Sequence, residues 1–76
     1  MSASAVDATI CSLIAGITAK LDEAASIAKA ARTCAESGNA PHAVQILMDF
    51  EGPAHEAEDL FKAALAIRRH LLADPA

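Results

Sequence analysis

The sequence predicts an all-α fold. Its plan is an antiparallel helical hairpin, one long helix against two shorter helices, doubled by dimerisation into a four-helix-type bundle. Three observations lead there. Apolar residues recur at steps of three and four through the first half of the chain. A strong helix stop stands at Ser37-Gly38-Asn39-Ala40-Pro41. A second stretch with helical spacing follows, interrupted at Gly52-Pro53.

Helix 1 is expected over about Ala5 to Ser37. Ser4, with Asp7 three residues on, offers an N-cap and a first-turn acid. Val6, Ile10, Leu13, Ile17, Leu21, Ala24, Ala28, Ala31 and Ala35 form one stripe, widened by Ile14, Ile27 and Cys34. The alanine-rich half of that stripe lets a neighbouring helix approach closely, and Gly16 suggests another close contact. Gly38 suits the left-handed residue after a helix, and Pro41 suits the first position of the next. Helix 2 is expected over about Pro41 to Glu51. Val44, Ile46, Leu47, Met48 and Phe50 nearly surround it, so it should be covered on more than one side. Proline removes a backbone donor and disfavours helical backbone just before it. Helix 3 is therefore expected from Pro53 to about Ala73, with Asp74-Pro75 as its stop. Ala57, Leu60, Phe61, Ala64, Ile67 and Leu71 make its stripe, with Leu65 and Leu72 beside it.

The chain of 76 residues has room for one domain, residues 1–76, and one small core. Its composition is 54% hydrophobic, too apolar for a disordered chain, but much of that is alanine. A core of this size contributes only about 3–5 kcal/mol alone, so small domains add a disulfide, a metal or a second copy. Cys11 and Cys34 cannot supply the first. On one helix they stand roughly 35 Å apart, whereas bridged Cα atoms lie within about 7 Å. A hairpin also cannot cover both a stripe and a nearly all-apolar helix 2. The expectation is a homodimer.

The net charge is −4, with no basic stripe to neutralise phosphates and no Trp or Tyr to stack on bases. Nucleic-acid binding is not expected. The apolar run near the start is too short and too periodic to span a bilayer, and an acid precedes it. No membrane association and a cytoplasmic location are the expectations.

The segment "DFEGPAHEAEDLF" holds the densest candidate chemistry. His55-Glu56 matches the start of the zinc-protease motif, but Asp59 stands where the second histidine belongs. A looser divalent site from Asp49, Glu51, His55 and Asp59 is conceivable across the bend, and a soft-metal site from Cys34 and His42 across the Gly38 turn. The plainer reading is that these acids favour the positive end of helix 3 and are solvated. No metal, cofactor or catalytic residue is assigned. Nucleophilic catalysis needs a nucleophile, a base and an orienting group together. Here His55 and His70 alone are roughly 22 Å apart along one helix.

The stretch "HEAEDLFKAALAI", with Ala57, Phe61 and Ala64, resembles the second helix of a tetratricopeptide repeat. "ESGNAPHA" resembles the turn inside such a repeat, but the two matches fall on different helices. One chain of this length is short of the about three repeats a solenoid needs, so no family is assigned. The functional expectation is a small acidic, non-enzymatic interaction or regulatory protein. Glu51, Glu56, Glu58 and Asp59 form the expected acidic patch for a basic protein partner. Two alternatives stand beside it. One is a helical ligand- or metal-binding sensor. The other is an antitoxin- or inhibitor-like protein that masks a basic partner.

Overall fold

The computed structural model describes the backbone of residues 3–73 and the side chains of residues 5–70. The expected stop at Asp74-Pro75 and the side chains of Ser4, Leu71 and Leu72 lie outside the described residues. Every element among them is helical: α1 (Ala3–Glu36), α2 (Ala40–Leu47), a 3₁₀ turn (Met48–Phe50) and α3 (Glu51–Ala73). Helix α1 folds back against the arm formed by α2, the 3₁₀ turn and α3. The backbone is already helical at Ala3 and Ser4, so Ser4 is not the N-cap of α1.

The turn between the arms is built from two caps that share one residue. Gly38 has φ +97°, a conformation that costs an L side chain roughly 1–2 kcal/mol. The Gly38 amide donates to the Ala35 carbonyl (3.0 Å) and the Asn39 amide to the Cys34 carbonyl (3.2 Å). These are the two bonds of a Schellman C-cap. Asn39 then serves α2 as its N-cap, its side-chain oxygen accepting from the His42 amide at 3.2 Å. Pro41 sits in the first turn of α2, where its missing donor costs nothing. The Ser37 hydroxyl donates to the Cys34 carbonyl (2.8 Å), and the Cys34 thiol donates to the Asn39 carbonyl (3.5 Å).

Helix 2 ends earlier than the sequence predicts. The change comes at Met48–Phe50, and Gly52-Pro53 lies inside the first turn of α3. The proline ring crowds the carbonyl four residues back, here Asp49, and offers it no donor. The turn around Asp49 therefore tightens to 3₁₀ spacing while the chain stays right-handed helical: Leu47 has φ −64°, ψ −21° and Glu51 has φ −59°, ψ −42°. Gly52 lacks the Cβ that would clash with the proline ring in helical backbone. A Cβ there would meet nothing within 4 Å beyond its chain neighbours, so Pro53 and not packing explains the glycine.

The seam of the hairpin is alanine. Ala24 and Ala31 of α1 are 3% and 5% exposed, and Ala43 and Ala57 of the return arm are 6% and 5% exposed. Pro53 is the other buried residue among those described. Small side chains let the two backbones come close. At Gly16 an added Cβ would stand 3.0 Å from Leu60 Cδ1. Lys20 stands level with Glu56, Gly16 with Leu60 and Glu36 with Ala40. Each step down α1 thus matches one step up the arm.

The molecule is long and thin, 60 × 18 × 13 Å. Its radius of gyration is 17.5 Å, against roughly 11 Å for a compact domain of this length. The seam predicts its own sensitivity. Ala24→Leu should push the helices apart and lower stability by about 1–3 kcal/mol, read as a lower urea midpoint. An unchanged midpoint would mean that the alanine contact does not set the helix spacing.

Candidate functional site

Two features are candidates: the acids of α3 and the apolar surface that the alanine seam leaves outside. The acids spread over a wide arc of α3. At roughly 100° per residue, Glu56 and Glu58 point to opposite sides of α3. Glu51 and Glu58, two turns apart, share one side; Glu56 and Asp59 share another. All of them are exposed. Each pair has a lysine. Lys62 Nζ lies 3.0 Å from Glu58 Oε1, one turn along the same helix. Lys20 Nζ reaches across the hairpin to Glu56 Oε2 at 3.2 Å and lies 3.6 Å from Glu23 Oε2. Lys20, Glu56, Asp59 and Leu60 line a shallow depression there. Glu51 and Asp59 are the acids of the predicted patch with no ion pair among the described residues.

Among the described residues no group of three or more His, Cys, Asp or Glu side chains could hold a metal ion. The set Asp49, Glu51, His55 and Asp59 therefore does not come together. Cys34 and His42 instead belong to the caps of the turn, the first through its thiol and the second through its amide. Both cysteines are free, Cys11 exposed and Cys34 half-buried.

The apolar surface is the larger feature. Ile14 is 54% exposed, Leu21 52%, Val44 62%, Leu47 45% and Phe61 52%. Most of these residues fall on one face. Ala28, Ala31, Arg32 and Ala35 of α1 join Ala40, Ala43, Val44 and Leu47 of α2 around one open groove of ≈ 340 Å³. That groove fixes which side of each helix is shared. On α1, Ala28, Leu21 and Ile14 lie roughly 40°, 60° and 80° round from Ala24 in the same sense. On the return arm, Leu47 lies roughly 40° round from Ala43, and Phe61 roughly 40° round from Ala57, also in one sense. The face therefore runs on from the groove past Leu21 to Ile14 and Phe61. Among the described residues no helix is long and apolar enough to cross a membrane.

This face was only half legible in the sequence. The stripe was visible, but periodicity does not say which of its residues are central. The alanines took the centre, and the larger residues were left at its edge.

Lys20 links the two arms by charge. Its hydrogen bond to Glu56, then the charges of Glu56 and Glu23, raise its pKa above the ordinary 10.5. A raised folded pKa means that the contribution is complete below the ordinary value and is lost as pH climbs through the folded one. Wild-type stability should therefore fall above pH 10.5. Lys20→Gln should remove part of that fall, leaving the part due to Lys62, whose pKa Glu58 also raises. Urea midpoints on either side of that pH check it, and equal slopes for the two proteins would contradict the link. Glu58, lowered by its hydrogen bond to Lys62, acts at the other end of the scale: its contribution is lost as pH falls below 4.5.

No protein-family model, curated protein or solved structure matches this chain.

Proposed function

We propose that the chain is a non-enzymatic interaction module that works as a homodimer and offers the rest of its helical surface to a protein partner. The observation that carries this reading is the uncovered apolar face. A folded chain of this mass exposes roughly 4,400 Å², whereas this hairpin exposes 5590 Å². The excess exceeds the roughly 800 Å² that each partner contributes to a stable protein interface. Large apolar side chains gathered on one exposed face mark an interaction site, and a second copy is always present to cover it.

The chemistry of the side chains fits the same reading. The three histidines stand far apart along the return arm and are exposed. The buried positions are alanines and Pro53, which favours a packed seam over a polar ligand site inside the hairpin. A basic protein partner remains part of the proposal, with Glu51 and Asp59 as the acids available to it. The ion pairs at Glu56 and Glu58 reduce what the patch offers.

Sedimentation equilibrium at micromolar concentration tests the proposal. The predicted mass is twice the 7.8 kDa of the chain. Leu21→Asp places a charge on the apolar face and should weaken self-association at least about tenfold. A stable wild-type monomer at that concentration would sink the reading.

A further inference from the structure

The apolar face is not uniform along its length. Toward the turn its α1 side is small: Ala28, Ala31 and Ala35 line the groove. Toward the other end it is large: Ile10, Ile14 and Ile17, with Phe61 beside them on α3. The spacings match in reverse. From Ile10 the large residues step by four, then three; from Ala35 backward the alanines step by four, then three. If α1 is laid antiparallel on a copy of itself, Ile10 meets Ala35 and Ile17 meets Ala28, while Ile14 comes over the groove at the level of Ala31. Leu21, 52% exposed, then comes level with Ala24 of the other copy, which that copy's own seam already covers.

We propose that two copies pack face to face with their turns at opposite ends, α1 against α1, related by a two-fold axis that crosses α1 between Leu21 and Ala24. This rests on the homodimer reading above and adds its orientation and register. A two-fold interface is self-complementary, so every large-into-small contact occurs twice. The broad face of 60 × 18 Å leaves more than the roughly 800 Å² a stable dimer needs from each copy. The opposite orientation, turns together, would level isoleucines with isoleucines and leave the groove over a second groove. Cores pack densely by setting large residues against small ones. The groove then takes the partner's isoleucines along α1, and its Val44 and Leu47 wall faces the region of the partner's Phe61.

Disulfide trapping tests the orientation. In a Cys11→Ser, Cys34→Ser background, chains carrying Ala35→Cys are mixed with chains carrying Ile10→Cys and oxidised in a glutathione buffer. A second mixture pairs Ala28→Cys with Ile17→Cys, so that one poorly folding variant does not decide the outcome. Circular dichroism and sedimentation of the reduced chains identify mixtures that fold and associate. Mixed disulfides at least about tenfold above either self-disulfide are expected, since only the antiparallel register brings these Cα atoms within about 7 Å. With turns together, residues 35 and 10 lie roughly 37 Å apart along the axis. A dimer that forms no mixed disulfide in either mixture overturns the orientation. So does one in which Ala28→Cys bonds to Leu47→Cys on the other chain. In both cases the homodimer reading stands. A chain that sediments as a monomer overturns both.

Discussion

The structure depends on a contact between alanines. Ala24 and Ala31 on one arm and Ala43, Ala57 and Pro53 on the other are buried along the hairpin seam, and side chains that small hold two helices together only at short range. Close approach then decides what happens to everything larger. Ile14, Leu21, Val44 and Phe61 do not fit between the arms and lie outside the seam, still exposed. The caps at Gly38 and Asn39 and the reach of Lys20 to Glu56 keep the arms in register. None of these features buries the apolar surface that a chain of this composition carries.

Much of this was legible in the sequence, and each miss has a physical reason. The turn was readable because only glycine takes the backbone that Gly38 takes without strain. The second role of the same turn is written in the sequence as well: asparagine is a preferred N-cap, and Asn39 stands immediately before α2. The boundary before α3 lies earlier than the position of Pro53 suggests, because proline acts on the carbonyl of Asp49, so the 3₁₀ turn comes before Pro53. The acids from Glu51 to Asp59 are close in sequence, but a helix turns them to different sides. Two lysines, one on the distant arm, pair with Glu56 and Glu58. Lys20 could not be matched to Glu56 before the register of the hairpin was known.

What this molecule offers a partner is surface. A hairpin this thin has two large faces and little interior, so whatever covers the apolar face becomes part of its core. In the proposed homodimer a second copy would contribute the large-side-chain packing that the single copy lacks, and association and folding would then be one process. That is the regime expected of small domains whose own core is too small to hold them.

The concentration dependence of thermal unfolding tests this claim most directly. If a second copy completes the core, the midpoint of helix melting must rise with protein concentration, because dilution favours the separated and unfolded chain. The account predicts such a rise, and predicts that helicity and dimer are lost together on dilution. A midpoint independent of concentration, with full helicity in the monomer, would contradict it: the alanine seam would then hold the hairpin without help.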